Sequence, residues 1–157
     1  MEPIDPTDLT ELTERWYDDY TVGEVFEVGD HLMTEDRIIS FASEFDPQIF
    51  HTDPEAAKQT VFGGLVASGW HTGSVLMKLL STTLGPSSLG SPGGESLRWL
   101  APVRPGDRLR LRVRVLDKRV STSNPERGVL RYRTELVNQD DVEVMGLEPT
   151  MFILRRS

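Results

Sequence analysis

A carboxylate and an imidazole stand five residues apart in the block from 45 to 53, Phe-Asp-Pro-Gln-Ile-Phe-His-Thr-Asp. Asp46 closes a predicted helix, and His51 follows across a loop that Pro47 restricts. Both side chains can therefore face one pocket just beyond the end of that helix. A carboxylate and an imidazole that contact one water molecule can together supply the acid and the base for general acid and base catalysis. A purely structural role is the alternative, because Asp-Pro is common at helix ends.

A glycine pair, Gly63-Gly64, precedes the most apolar segment of the chain, and we predict that it opens a buried helix. The first backbone N–H groups of a helix have no partner within the helix, and its dipole favours negative charge there. Such groups are suited to holding an oxyanion that develops during a reaction. The alternative is that the two glycines only allow tight packing at the helix start.

Other residues whose side chains could bind a metal or act in catalysis have simpler interpretations. His51 and Asp53 could bind a metal, but no third ligand is evident, so we predict no metal and no cofactor. His71 lies on an apolar helix and is expected to be a core histidine. Ser68 is not surrounded by a nucleophile-elbow sequence, which argues against a hydrolytic triad. The arginine-rich run 108–114 is predicted to be a solvated strand face, with attraction of a carrier's phosphates as the functional alternative.

Two short helical patterns would position the carboxylate and the imidazole. Thr34 is a capping residue, and apolar side chains recur at helical spacing over 38–45. This helix should stop near Asp46, because a residue before proline disfavours helical geometry. Asp53 followed by Pro54 indicates the start of a second short helix.

A third helical pattern covers 63–85 and is apolar around most of its circumference, which is typical of a central, buried helix. The Ser-, Gly- and Pro-rich stretch 86–94 follows it and is predicted to be a mobile loop at the pocket mouth or the surface. The second half of the chain changes period: 108–115 alternates arginine with Leu or Val, and 128–137 and 142–154 are also predicted strands. One buried helix followed by antiparallel strands indicates the α+β class.

Length and composition limit the number of domains, the type of catalytic nucleophile and the possible binding partners. The 157 residues favour one domain, with 1–14 as a flexible leader before a domain over 15–157. The absence of cysteine excludes thiolate nucleophiles and is compatible with a cytoplasmic location. A formal net charge of −8 opposes binding to nucleic acid or to an anionic membrane. No stretch of the sequence resembles a signal peptide or a membrane span.

These blocks, taken together, resemble the MaoC-like acyl dehydratases, a family that includes (R)-specific enoyl-CoA hydratases. The family signature is similar to Asp-x-Asn-Pro-x-His, some distance before a glycine-rich helix start. The segment 97–107, Leu-Arg-Trp-Leu-Ala-Pro-Val-Arg-Pro-Gly-Asp, resembles the family's strand and Pro-Gly-Asp turn. The similarity covers about residues 15–155. It implies a hot-dog fold, in which an antiparallel sheet wraps around one long central helix.

The resemblance assigns roles to individual residues. Asp46 and His51 match the family's acid/base pair, with Asp46 as the base on water and His51 holding the water and helping to deliver a proton to C2. Gly64 matches the glycine whose N–H binds the thioester oxygen, and Thr72 falls where the family often has a serine. Gln48 stands where the motif has asparagine and Ile49 where it has proline, which puts substrate preference in doubt more than the chemistry.

The implied reaction is reversible hydration of a trans-2-enoyl thioester to an (R)-3-hydroxyacyl thioester, carried by CoA or acyl carrier protein. Two alternatives remain at this point: a hot-dog acyl-CoA thioesterase and a non-catalytic acyl-CoA-binding module. A hot-dog sheet leaves an exposed edge, which pairing with a second copy covers. We therefore predict a homodimer or a multiple of dimers, with the pocket between protomers.

Overall fold

The structure is a computed structural model that describes residues 9–156. All the helices begin in the first half of the chain, which also contains the first strand, and the other four strands follow in the second half. The helices are α1 (Leu9–Thr13), α2 (Glu35–Phe45), α3 (Ile49–Thr52), α4 (Pro54–Ala57) and α5 (Gly69–Ser81), with a 3-10 turn at Tyr17–Asp19. The strands are β1 (Val25–Leu32), β2 (Gly93–Trp99), β3 (Arg108–Val120), β4 (Arg127–Val137) and β5 (Glu143–Leu154).

The five strands form one antiparallel sheet in the order β1-β3-β4-β5-β2. In β3, Leu109, Leu111, Val113 and Val115 are all buried, while the residues between them point away from the core. This alternation follows from the two-residue period of a strand. It confirms the predicted strand over 108–115, which the structure extends to Val120.

Helix α5 packs against β1 and β3 of this sheet, and its apolar residues belong to the core. Its Val75, Leu76, Leu79 and Leu80 are buried, and Leu79 packs so closely on Gly29 of β1 that a β-carbon there would come within 2.5 Å of it. A sheet of five antiparallel strands around one buried helix is the predicted hot-dog architecture.

The predicted start of the central helix is wrong. Helix α5 begins at Gly69, with Ser68 as its N-cap, rather than at the pair Gly63-Gly64. Gly63 instead closes a turn with a positive φ of 64°, its N–H donating to the carbonyl of Thr60. The chain then stays extended because the N–H of Val66 donates to a carbonyl outside the helix, that of Phe50.

Two further expectations concern segments that were predicted to be flexible. The predicted leader lies partly outside the described residues, but Leu9–Thr13 forms α1 and Leu12 is buried in the core, so this part is packed rather than loose. The predicted mobile loop is hydrogen-bonded to β5 over part of its length. The N–H of Leu89 donates to the Phe152 carbonyl at 2.8 Å, and the N–H of Phe152 donates to Gly90 at 2.9 Å.

The arginine-rich face of β3 is largely neutralised by acids on the same side of the sheet. Arg108 pairs with Asp30, and Arg110 and Arg112 both pair with Glu27 of β1. Exposed ion pairs of this kind contribute about 0–1 kcal/mol each. The pairing favours the solvated strand face over an attraction site for phosphates.

Candidate active site

Asp46 is the residue that ends α2. The helix begins as predicted, with the Thr34 side chain accepting from the N–H of Arg37, and its last capping bond joins the Asp46 N–H to the Ala42 carbonyl. Beyond this bond the backbone of Asp46 leaves helical geometry, with φ −155° and ψ 68°. Pro47 accounts for this, because a residue before proline avoids the helical region.

Two side chains donate hydrogen bonds to the Asp46 carboxylate. The Ser68 hydroxyl donates to Oδ2 at 2.7 Å, and the Gln48 amide donates to Oδ1 at 2.8 Å. These bonds, first that from Ser68 and then that from Gln48, hold the pKa of Asp46 below its usual value, and the nearby His51 acts in the same direction. Asp46 is therefore a carboxylate at neutral pH, able to accept a proton.

His51 lies on the short helix α3, where the sequence predicted a loop. Its Nδ1 is 2.7 Å from the Val66 carbonyl oxygen, and its Nε2 is 3.4 Å from Asp46 Oδ2. A carbonyl oxygen can only accept, so we assign the proton of the neutral ring to Nδ1. Nε2, the other ring nitrogen, faces the carboxylate.

Asp46 and His51 line a cleft of about 450 Å³ whose walls are mostly apolar. Gln48 and Thr72 also line it, so four of the five residues predicted for the site come together there. The remaining walls consist of four aromatic side chains and a set of small or aliphatic ones: Phe50, Phe62, Trp70, Trp99, Val66, Ala67, Gly69, Leu100, Ala101, Pro102 and Val103.

Gly64 is the predicted site residue that does not line this cleft. It lies in the turn before α5, and a β-carbon placed on it would be 3.3 Å from Nη1 of Arg104. Gly69 lines the cleft instead, as the first residue of α5. The N–H of a first helical residue has no partner within its own helix.

Trp99 of β2 closes one side of the cleft over Gly69. Its indole Nε1 donates to the Gly69 carbonyl at 2.8 Å, and a β-carbon on Gly69 would meet the indole ring at 2.7 Å. The ring also packs edge-on against Trp70, with the centroids 5.3 Å apart. Glycine at position 69 is thus required by the close approach of the Trp99 ring.

Sequence reasoning missed Ser68, Gly69 and Trp99 as parts of the site. Ser68 was considered only as a nucleophile, whereas its hydroxyl bonds to Asp46 and caps α5. A signal for Ser68 was present, since serine followed by an apolar helical run is typical of an N-cap. The contact of Trp99 with Gly69 had no local signal, because the two residues are far apart in the chain.

The other residues that the sequence analysis considered, Asp53 and His71, do not line this cleft. Asp53 caps α4 through bonds from the N–H groups of Glu55 and Ala56, as the sequence predicted. His71 is buried and stacks on Phe41, with the ring centroids 4.7 Å apart. Over residues 9–156, no three His, Asp or Glu side chains are grouped closely enough to hold a metal ion. None of the helices described has both the length and the apolarity that a membrane crossing requires.

Comparison with known proteins places this chain in a family. A family described as the MaoC like domain matches residues 19–137. The uncharacterised protein YdeM of Bacillus subtilis (strain 168) is 34% identical over 140 residues, which cover 88% of this chain and 98% of YdeM.

Solved structures agree with this match. The MaoC-like dehydratase from Rhodospirillum rubrum is 38% identical with a TM-score of 0.84, over 91% of this chain and 99% of the other. The R-hydratase PhaJ1 from Pseudomonas aeruginosa is 26% identical with a TM-score of 0.74, over 90% of this chain and 86% of the other. A double hotdog-fold protein of Mycobacterium tuberculosis, 17% identical with a TM-score of 0.76 over 90% of this chain and 44% of the other, shares the fold.

The fold, the family match and these relatives agree with the resemblance seen in the sequence. The chain belongs to the MaoC-like family of hydratases and dehydratases.

Proposed function

We propose that this protein catalyses the reversible addition of water to a trans-2-enoyl thioester, giving an (R)-3-hydroxyacyl thioester. The observation that carries the proposal is the placement of Asp46 Oδ2 and His51 Nε2 3.4 Å apart in an apolar cleft. A carboxylate and an imidazole this close together can both contact one water molecule bound in the cleft. The (R) configuration is proposed because a relative of 26% identity is an R-hydratase.

In the hydration direction, the oxygen of the bound water attacks C3 of the conjugated double bond. The Asp46–His51 pair takes one proton from that water, and one proton is delivered from the pair to C2. The new C3–O and C2–H bonds replace the π bond, so the pair ends the cycle with its original number of protons. Dehydration runs through the same transition state in reverse.

Negative charge develops on the thioester oxygen as C3 is attacked, and we assign its binding to the Gly69 N–H. This N–H stands at the N-terminus of α5, a helix of 13 residues, where the helix dipole favours an anion. Loss of a donor of this kind costs about a hundred- to a thousandfold in rate in other enzymes. The assignment moves the oxyanion role from Gly64 to Gly69.

We propose that the acyl chain lies along the apolar walls of the cleft and that the carrier is CoA. Phe50, Phe62, Trp70 and Trp99 supply four aromatic surfaces there, and the polar side chains that line the cleft are Asp46, Gln48, His51 and Thr72. Apolar walls with a few convergent polar groups are typical of small-molecule sites. A place in acyl-CoA and fatty acid metabolism follows from this substrate class.

The test is a panel of trans-2-enoyl-CoA thioesters of increasing chain length, followed by loss of the conjugated absorbance. Chiral analysis of the 3-hydroxyacyl product checks the (R) configuration, and a thiol reagent monitors release of free CoA. Hydration without thiol release is the expected result. Thiol release would indicate a thioesterase, and tight binding without either reaction would indicate a binding module.

A further inference from the structure

The segment from Val66 to Gly69 contacts both members of the proposed acid/base pair. The Val66 carbonyl accepts from His51 Nδ1 at 2.7 Å, and the Ser68 hydroxyl donates to Asp46 Oδ2 at 2.7 Å. Gly69 follows at once and presents its N–H at the start of α5. Four consecutive residues therefore set the position of the imidazole and the carboxylate.

The segment is held in place from two sides. The Val66 N–H donates to the Phe50 carbonyl at 3.0 Å, and the Ala67 N–H donates to the Val103 carbonyl at 2.8 Å. Val66, Ala67 and Ser68 are all buried, and Ser68 has no exposed surface. A buried segment with paired backbone groups is suited to fixing the side chains that contact it.

The direction of the Ser68 hydrogen bond follows from its second contact. As the N-cap of α5, Ser68 Oγ accepts from the Trp70 N–H at 3.3 Å. An N–H can only donate, so it occupies a lone pair of Oγ and leaves the single hydroxyl proton for Asp46. The start of α5, where partial positive charge accumulates, is thereby connected to the carboxylate through one hydroxyl group.

We propose that Ser68 is a positioning residue whose hydroxyl group holds Asp46 Oδ2 beside His51 Nε2. This inference rests on the proposed function, because it concerns the base of that reaction. The hydrogen bond from Ser68 is the foremost cause of the low pKa of Asp46. The other donor, Gln48, binds Oδ1 from an exposed position, and His51 is the titratable group that faces Asp46.

The test compares Ser68→Ala and Ser68→Gly with the wild type. Alanine removes both the hydroxyl and the helix cap, whereas glycine is tolerated at an N-cap position nearly as well as serine. Ser81→Ala is the matched control, since Ser81 is on the same helix and its hydroxyl donates only to the Lys78 backbone. The readouts are thermal midpoint, kcat and KM against pH, and ¹³C NMR titration of the Asp46 carboxyl.

Both Ser68 variants should move the Asp46 titration and the acid limb of the kcat/KM profile to higher pH. We expect kcat to fall by roughly ten- to a hundredfold, because a hydrogen bond to a charged group is lost, with KM changing less. Ser68→Ala should also lower the thermal midpoint, whereas Ser68→Gly and Ser81→Ala should stay close to the wild type in stability.

A purely structural Ser68 would change the thermal midpoint of Ser68→Ala and leave the Asp46 titration in both variants where it is in the wild type. That result would overturn the inference. The NMR titration needs no turnover, so it tests Ser68 even if the protein hydrates no enoyl thioester. The two proposals therefore fail in distinguishable ways.

Discussion

At the residue scale, different hydrogen bonds hold Asp46 and His51 in place. The carboxylate is held by two donors, and the imidazole is held through Nδ1, so that Nε2 and Oδ2 lie side by side in residues that line the cleft. Asp46→Asn keeps the shape of the side chain but removes the proton acceptor. General base catalysis contributes about a hundred- to ten-thousandfold, so losses of that order are expected for Asp46→Asn and for His51→Ala in enoyl-CoA assays.

The two losses should be far from additive, because both groups act on one water molecule. The double variant is expected to be scarcely slower than the slower single variant, with circular dichroism unchanged in all three. His71→Ala is the control and should alter stability more than rate. Near-normal turnover by Asp46→Asn, with an unchanged melting temperature, would remove this pair from the mechanism.

His71 gives the protein a pH-dependent stability that is separate from catalysis. Burial lowers the pKa of His71 to about 4, and His31 and Arg37 act in the same direction. The usual pKa of histidine is 6.5, so as the pH falls below this value His71 is protonated in the unfolded chain but not in the folded one. The free energy of unfolding therefore declines between pH 6.5 and 4. At about 1.4 kcal/mol per pH unit, the full shift sets an upper limit of about 3 kcal/mol on this loss, and solvent screening reduces it.

His71→Phe tests this expectation, because it removes the titrating group and keeps an aromatic ring to stack on Phe41. Urea unfolding at pH 7 and at pH 4.5 should show a smaller difference in the free energy of unfolding for His71→Phe than for the wild type. If the free energy of unfolding changed equally with pH in both proteins, protonation of His71 would not destabilise the folded state.

At the scale of the element, two glycines of α5 should respond in opposite ways to alanine. A β-carbon on Gly69 would meet the Trp99 ring at 2.7 Å, whereas a β-carbon on Gly73 would meet Met145 Cε at an ordinary 3.5 Å. Gly69→Ala should therefore displace Trp99, raise KM and destabilise the fold by about 1–3 kcal/mol. Gly73→Ala should stabilise the helix by up to about 1 kcal/mol.

Thermal unfolding and tryptophan fluorescence distinguish these outcomes. Gly69→Ala should change the emission of Trp99, and Gly73→Ala should leave both the emission and KM as they are in the wild type. Equal effects of the two substitutions on the thermal midpoint would show that helix propensity, and not the approach of Trp99, determines what position 69 tolerates.

At the scale of the whole molecule, the free edge of β2 and the apolar surface near the cleft predict a homodimer. Six of the seven residues of β2 are exposed, and β2 pairs with β5 on one side only. Exposed side chains that would favour association include Phe45 at 64%, Trp70 at 60% and Leu100 at 54%. Unpaired edges and apolar patches of this kind are usually covered in the native protein.

Sedimentation at micromolar concentration should show a dimer or a multiple of dimers. If the partner also completes the cleft, specific activity should fall on dilution in step with dissociation. A stable, fully active monomer at that concentration would contradict both the assembly and a cleft shared between protomers.

Much of the architecture was readable from the sequence because its signals are local. The two-residue period of 108–115 is a property of the strand itself, and Thr34 caps α2 through an N–H three residues away. The proximity of Asp46 and His51 is also local, since Pro47 ends one helix and five residues bring the imidazole back to the carboxylate. The family resemblance rested on these same short-range blocks.

The course of the chain between Gly63 and Gly69 was decided only by the tertiary structure. Locally, Gly63-Gly64 before an apolar run resembles a helix start, but the Val66 and Ala67 N–H groups bond to Phe50 and to Val103, 16 and 36 residues away. These long-range bonds compete with helical ones and delay the helix to Gly69. They also place Ser68 against Asp46 and Gly69 under Trp99, which no spacing in the sequence indicates.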